Sequence, residues 1–284
     1  MEDASERAEV EDLWGPDLPS DPGRGTRDVL ESAARREIGV LFLVGVDPLT
    51  DFPDAALAEL AVANAPFLVV QDLALGPYRE YADAVLPAAA YLEKDGHFTD
   101  WEGRGQRIAA VRPAPGLARP DWEIFQKLSE VAGADMGFRS LESLHEEMGR
   151  LLAPRPLRVS PGPSRKGPVV EGDGLTLFTY PLLVDEGRLS VDAGELKAAL
   201  GDEAFMEIHP ADADRLGLEE GSTARVATEA GEAMLPVRVS DGISQGAVFV
   251  PWNQPGLRAN TLLTGPPFTR ARVEPAGERE EVAS

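Results

Sequence analysis

The chain contains no cysteine. That excludes disulfides, thiolate zinc sites and cysteine-ligated iron–sulfur clusters within these residues, and it fits a reducing cytoplasm. Cations are scarce as well: 27 Lys and Arg stand against 49 Asp and Glu, a formal net charge of −22. Free nucleic acid is a poor partner for such a chain, because binding it requires basic side chains on the phosphates. Solubility is the ordinary meaning of this charge. No apolar run approaches the ~20 residues that span a bilayer, so direct membrane insertion is not expected. The first residues, MEDASERAEVED, are acidic and lack the apolar core of a secretory signal. The three histidines, His97, His145 and His209, are scattered and have no partner at metal-ligand spacing. No metal site and no catalytic residue is expected. Phosphate-binding loops of the Walker type and internal repeats are absent too.

What is present is enough chain for one large or two modest domains: 284 residues, 43% of them hydrophobic. Residues 1–25 read as a flexible acidic lead-in broken by Pro and Gly. Thr26 suits the N-cap of a helix to Glu37, with Val29, Leu30, Ala33 and Ala34 on one face. Residues 38–44 are continuously apolar up to Gly45, as in a strand buried on both faces. A helix over 54–63, a strand over 67–70, a short helix near Tyr78 and an apolar burst at Ala84–Leu86 follow. This β-α-β-α-β order predicts a partial, doubly wound parallel sheet over 26–152. Pro120 and Asp121 open a further helix, with Trp122, Phe125, Leu128 and Val131 facing inward and Gly133 past its end. Another starts at Ser140.

Residues 153–168 carry Pro, Gly and basic residues without period and read as a linker. Beyond them the pattern changes to short strands near 175–180, 205–208, 223–228, 232–239 and 247–250, with a short helix at 210–216 closed by Gly217. Strands of this length and spacing predict a small closed β-barrel over 169–273. Residues 274–284 read as a disordered tail.

The densest chemistry lies in Tyr81–Gln106, YADAVLPAAAYLEKDGHFTDWEGRGQ. A strand end is followed by a loop holding Thr99, Asp100, Trp101, Glu102 and Arg104. The carboxyl ends of strands are where open α/β sheets place ligand or partner contacts. Arg104 offers a planar fork for a phosphate or a pterin edge. From Gly103 to Pro120 there are four arginines and no acidic residue, a local inversion of charge suited to an anionic ligand or an acidic partner. The alternative is a solvated loop anchored by an internal Glu102–Arg ion pair. Gly45-Val46-Asp47-Pro48 ends the first buried strand. Either the glycine admits a ligand to the backbone, or Asp-Pro merely feeds the next helix. Gly242-Ile243-Ser244-Gln245-Gly246 matches the hydrolase elbow G-x-S-x-G. Here a strand follows it and every histidine precedes Ser244, so it reads as a turn.

Two stretches carry a resemblance. Ala82-Asp83-Ala84-Val85-Leu86-Pro87, Glu93-Lys94-Asp95-Gly96, Phe98-Thr99-Asp100 and Glu102-Gly103-Arg104 resemble the signature of the molybdopterin oxidoreductases. The version they most resemble is that of the large peripheral-arm subunit of bacterial NADH-quinone oxidoreductase (respiratory complex I). Ile208-His209-Pro210-Ala211-Asp212-Ala213, Leu216-Gly217-Leu218, Glu220-Gly221, Gly246–Pro251 and Asn260-Thr261-Leu262 resemble the family's molybdopterin dinucleotide-binding domain. The resemblance implies that this second half is a double-psi β-barrel. It also implies cofactor-facing roles for Gly45 and Asp47 beside the dinucleotide end, and for Thr99, Asp100, Glu102 and Arg104. Trp252, Asn253 and Asn260, past the last barrel strand, would face the pterin; the alternative there is loop packing around an indole.

Departures from the pattern weaken the cofactor. Asp100 stands where the family often has Asn, and a carboxylate there disfavours an anionic pterin. The resemblance also implies a cluster-binding N-terminal region that is not identifiable here, so the chain reads as beginning partway into the α/β domain. The leading expectation is a structural part of NADH-quinone oxidoreductase, without a redox centre or bound cofactor of its own. Its partners would be other peripheral-arm subunits of complex I, on the cytoplasmic side of the membrane. One alternative is the cofactor-binding part of a formate-dehydrogenase-like enzyme that holds a molybdopterin guanine dinucleotide. Another is a stand-alone pterin- or nucleotide-binding module.

Overall fold

A computed structural model describes residues 4–16, 18–19, 21, 23–151, 172–190, 192–265 and 268–276. They divide into two compact units. One holds the residues up to Gly45 together with those from Asn64 to Leu151; the other holds Val46–Ala63 and the residues from 172 onward. The expected linker, 153–168, and residues 277–284 of the expected tail lie outside the described residues.

The first unit opens with helix α1 (Ala4–Trp14), in the stretch that reads as an irregular lead-in. An Arg7–Glu11 pair one turn apart supports it, and the Trp14 indole N–H donates to Glu147 Oε1 at 2.8 Å. Helix α2 (Thr26–Ala34) buries Leu30, Ser32 and Ala33. Gly25, not Thr26, stands at its cap, because Thr26 is already helical, and the helix ends three residues short of Glu37. Strand β1 (Leu41–Val44) starts later than the apolar run that encodes it, and Val40 is half exposed. After helices α3 (Pro48–Asp51) and α4 (Ala55–Asn64), which belong to the other unit up to Ala63, come β2 (Leu68–Asp72) and β3 (Ala84–Pro87). These strands form a parallel sheet in the order β1-β2-β3, with Leu41 opposite Leu68 and Val69 opposite Ala84. Leu41, Leu43, Leu68 and Val70 make its core. The Ala84–Leu86 burst is not a buried centre: β3 is an edge strand and Val85 remains 45% exposed.

A hairpin of β4 (Gly96–Thr99) and β5 (Gly105–Ile108) follows, then α5 (Asp121–Val131) and α6 (Leu141–Leu151). The expected inward face of α5 is wrong. Ile124 and Gln126 are buried, whereas Phe125 and Leu128 are partly exposed and Val131 is 89% exposed. The polar side chain decides the burial. The Gln126 amide donates to Asp135 at 2.7 Å and accepts from the Phe138 N–H at 2.9 Å, which folds the following loop over it.

The second unit is a closed six-stranded barrel with strand β6 (Leu175–Phe178), helix α7 (Gly194–Leu200), strand β7 (Met206–Ile208) and helix α8 (Pro210–Leu216). Strands β8 (Thr223–Ala227), β9 (Glu232–Val239), β10 (Ala247–Phe249) and β13 (Phe268–Pro275) complete it. The two-residue strands β11 (Asn253–Gln254) and β12 (Leu257–Arg258) form a separate ribbon. Around the barrel the order is β10-β6-β13-β8-β9-β7. Two pairings are parallel, β6 with β10 and β7 with β9; the others are antiparallel. Alternate residues point inward, so Leu175, Leu177, Met206, Ile208, Val226, Leu235, Val237 and Val248 fill the interior. Helix α8 is built as its sequence demands: the His209 Nδ1 accepts from the Ala211 N–H, Pro210 opens the first turn, and Gly217 closes the last at φ 68°.

Candidate functional site

The β11–β12 ribbon grows from Trp252-Asn253-Gln254-Pro255-Gly256, where Pro255 and a Gly256 at φ 80° make a tight turn. The Trp252 backbone anchors it: its N–H donates to Tyr180 O at 3.1 Å, and its carbonyl accepts from Ala259 N at 2.8 Å. A 3-10 turn, Ala259–Leu262, follows. It carries Asn260, fully buried, whose Nδ2 donates to the carbonyls of Leu49 at 2.9 Å and Phe52 at 3.2 Å. Leu49 lies within α3 and Phe52 caps its C-terminus, so Asn260 ties the Val46–Ala63 segment to the barrel within one unit. Arg258 joins it with bonds to Leu49 O and Glu59.

Beside the ribbon lies a cavity of about 820 Å³, lined among others by Thr50, Glu186, Glu203, Glu232, Met234, Asn253, Gln254 and Arg258. A second cavity, of about 380 Å³, shares Glu186, Glu203, Gln254 and Pro255 and adds Asp185, Lys197 and Asp202. Asn253 and Gln254 are only 3% and 2% exposed, and Asn253 Oδ1 and Gln254 Oε1 have no hydrogen-bond partner among the described residues. Unpaired buried acceptors are costly, about 1–3 kcal/mol each, and Asn260 Oδ1 is in the same state.

The surroundings are acidic. Glu186 is paired with Lys197 at 2.8 Å, Arg258 with Glu59 at 3.4 Å, and Glu232 with Arg225. The Asp51 carboxyl, beside Thr50, is pushed above its ordinary value, first by burial and then by the charge of Asp47.

The residues singled out in the sequence fall in separate places. Gly45 follows β1 at φ 60° and donates its N–H to Gln71 O. Asp47 is buried as the N-cap of α3, its Oδ1 accepting from the Leu49 N–H at 3.1 Å. Thr99, Asp100, Glu102 and Arg104 lie together at the tip of the β4–β5 hairpin. There Asp100 Oδ1 accepts from the N–H groups of Glu102 and Arg104, and Oδ2 accepts from Arg104 Nε, each at 2.9 Å. Arg104 also pairs with Glu102. These bonds, led by the Arg104 N–H, hold the Asp100 carboxyl below its usual range. Trp252, Asn253 and Asn260 do come together, around the ribbon.

Gln254 escapes reasoning from sequence, although two adjacent amides before Pro-Gly are visible in it. So does Glu93, whose carboxylate accepts from the Ala90 N–H at 3.0 Å and pairs with Arg112 at 2.6 Å. The Ala90 N–H and then Arg112 keep Glu93 below the ordinary carboxylate range, against the burial that raises it. A third cluster, Gln71–Asp121–Lys94, binds β2 to the start of α5.

Residues 3–131 match the family model described as molybdopterin oxidoreductase, and residues 183–278 match that of the molybdopterin dinucleotide-binding domain. The chain belongs to the molybdopterin oxidoreductase family. Over 281 residues it is 32% identical to the second form of the NADH-quinone oxidoreductase G subunit of Rhizobium meliloti (strain 1021), covering 92% of this chain and 33% of that protein. It is 33% identical over 288 residues to the NADH-quinone oxidoreductase G subunit of Streptomyces coelicolor, covering 96% and 33%. It is 31% identical over 285 residues to the F420-dependent formate dehydrogenase 2 subunit alpha of Methanococcus maripaludis, covering 85% and 42%. The chain thus spans about a third to two fifths of the length of these relatives. Among solved structures, acetylene hydratase from Pelobacter acetylenicus superposes with a TM-score of 0.56 at 18% identity, over 84% of this chain and 41% of that one. That likeness shows the fold: α/β, with a wound parallel sheet followed by the family's double-psi β-barrel. No helix among the described residues is long and apolar enough to cross a membrane.

The family implies a molybdopterin dinucleotide, whose pyrophosphate needs cations or free N–H groups. The cavity beside the ribbon does not fit one. Among the described residues Glu186, Glu203 and Glu232 line it against the single cation Arg258; Glu186, Glu232 and Arg258 are each already paired, with Lys197, Arg225 and Glu59, so no free cation is offered to a pyrophosphate.

Proposed function

We propose that the chain contributes to the peripheral arm of an NADH-quinone oxidoreductase of the complex I type, as a structural and assembly element on the cytoplasmic face of the membrane. In this reading it holds no redox centre and no pterin, and electrons pass through clusters carried elsewhere in the assembly. One observation carries the proposal. The chain aligns with the G subunits of NADH-quinone oxidoreductases over nearly its whole length, yet contains no cysteine to ligate a cluster and lines the cavity beside the ribbon with carboxylates. The arginine-bearing hairpin tip, with Arg104 and Arg107 largely exposed, is a candidate docking surface for the neighbouring subunits.

A second reading rests on the alignment with the formate dehydrogenase alpha subunits and on the dinucleotide-binding match. In it the chain would hold the pterin end of a cofactor whose metal half is bound by another polypeptide. Gly45, Asp47, Thr99, Asp100, Glu102, Arg104, Trp252, Asn253 and Asn260 would then be the candidate contacts. Purification from the native host, with oxidised-pterin fluorescence and identification of co-purifying proteins, separates the two. No pterin together with peripheral-arm subunits supports the first; stoichiometric pterin overturns it in favour of the second.

A further inference from the structure

The tip of the β4–β5 hairpin is closed by its own hydrogen bonds. Asp100 N–H donates to Arg104 O at 3.1 Å, and Gly103 N–H donates to Asp100 O at 3.0 Å. The Asp100 carboxylate accepts from the Glu102 N–H, the Arg104 N–H and Arg104 Nε. Gly103, at φ 81°, makes the bend. On this fixed turn Trp101 stands 92% exposed, and its indole N–H has no acceptor among the described residues. Three further apolar side chains near the hairpin are more than half exposed. Tyr91 and Phe98 have ring centroids 6.4 Å apart, and the Val111 N–H bonds to Leu92 O. The ion pairs here are all layered one way. The Arg104 side chain is 71% exposed over Asp100 at 23%, and that of Arg112 is 67% exposed over Glu93 at 5%. Arg104 and Arg107 are also more exposed than their other partners, Glu102 and Asp95. Guanidinium groups therefore face solvent with the carboxylates beneath them, a cationic surface on a chain of net charge −22.

We propose that Trp101 is the anchor of a protein–protein interface, seated in an apolar pocket of a partner whose rim carries carboxylates. The indole N–H and the guanidinium groups are donors only, so the partner must bring the acceptors and the negative charge. Trp and Arg are also the residue types that dominate binding energy at such contacts. Because the turn is already closed in the free chain, docking has little left to order there. Asp100 is then a positioning residue, holding the loop that presents the indole. A single-stranded nucleic acid would also stack on Trp101 and meet the arginines, but the net charge opposes it. That the partner is a peripheral-arm subunit rests on the assembly role proposed above; the pocket and its acidic rim follow from the hairpin alone.

The test expresses the full chain in its native host with the photo-cross-linking substitution Trp101→p-benzoylphenylalanine and identifies the captured peptide by mass spectrometry. Expected is one site, an apolar segment flanked by Asp or Glu. The same substitution at Val131, nearly as exposed but on α5, should not capture it. With the captured protein purified, Trp101→Ala should weaken its binding to the chain tenfold or more at unchanged melting temperature. Arg104→Glu/Arg107→Glu should weaken binding and flatten its salt dependence, which Trp101→Ala leaves as in the parent. Asp100→Asn, which can still accept from the two N–H groups, should keep most of the affinity that Asp100→Ala loses. A site on a peripheral-arm subunit supports both the anchor and the assembly reading. A site of the same chemistry on another protein supports the anchor and counts only against that reading. The proposal is overturned if nothing is captured beyond the Val131 control, if the captured site is rich in Lys and Arg, or if Trp101→Ala binds like the parent. Binding of labelled oligo(dT) as tightly as the captured protein would overturn it in favour of nucleic acid.

Discussion

Asp212 gives the sharpest test of how the barrel is held together. It sits in the first turn of α8 and is 2% exposed. Its Oδ2 accepts from the Gly246 N–H at 2.6 Å, and its Oδ1 accepts from Arg215 Nη2 at 2.7 Å. It thereby locks the helix to the turn that launches β10. A bond to an ionised acceptor contributes ~1.5–3 kcal/mol. The carboxylate in a first helical turn adds ~0.3–1 kcal/mol. The Arg215 partner, its side chain 56% exposed, adds no more than ~1 kcal/mol. Asp212→Ala should therefore destabilise the barrel unit by ~2–5 kcal/mol, and Arg215→Ala by less than ~1 kcal/mol. Urea titration combined with hydrogen exchange on peptides from β8, β9 and β10 reads this unit separately from the other.

The effect also has a pH signature. Burial by itself raises the Asp212 carboxyl, but the bonds from Arg215 and the Gly246 N–H outweigh it and hold it below its ordinary value. A carboxylate depressed in the folded state contributes stability above its unfolded pKa, about 3.9, and that contribution disappears as pH falls through the folded value. The difference between parent and Asp212→Ala should be full at pH 7 and shrink as the solution is acidified below about 4. Equal losses for Asp212→Ala and Arg215→Ala, or a difference that does not shrink in acid, would refute the assignment of this lock to the Gly246 bond.

Other perturbations follow from the same geometry. Asn260→Ala removes two donors from the carbonyls of Leu49 and Phe52 and should cost ~2–4 kcal/mol, read as faster exchange in residues 46–63. Asn260→Asp, which also buries a charge, should cost more. Gly231→Ala would bring a methyl within 2.8 Å of Thr261 O, so the β8–β9 turn must shift, and a lower midpoint in urea is expected. Gly217→Ala forces a side chain into φ 68° and should cost ~1–2 kcal/mol by the same titration. Arg104→Ala with Arg107→Ala should leave the melting temperature unchanged and weaken co-purification with partner subunits; unchanged assembly would remove the hairpin tip from the interface.

Much of the fold was legible because local rules and global packing agree in it. Pro210, the helix after it and Gly217 announce α8 in order. The Gly-centred 223–239 stretch alternates as a strand pair should, and β8 and β9 form there. Legibility failed where a polar group took a core position. In α5 apolar periodicity put Phe125, Leu128 and Val131 inside, but Gln126 made three bonds that no hydrophobic pattern encodes. Ala84–Leu86 looked buried because composition does not reveal that a strand lies at a sheet's edge. At the candidate site, Trp252, Asn253 and Asn260 were readable as a group. What each does depends on atoms remote in sequence: Asn260 serves a helix near the other end of the chain, while the Asn253 and Gln254 oxygens are left without donors among the described residues.

The assignment of Val46–Ala63 to the barrel's unit has a practical consequence for anyone dissecting the molecule. A gene fragment beginning at residue 172 would encode every strand of the barrel yet omit the carbonyls on which Asn260 and Arg258 are anchored. The shorter piece would lose a brace rather than a passenger. A minimal soluble version should instead be engineered by grafting residues 46–63 back through a synthetic tether.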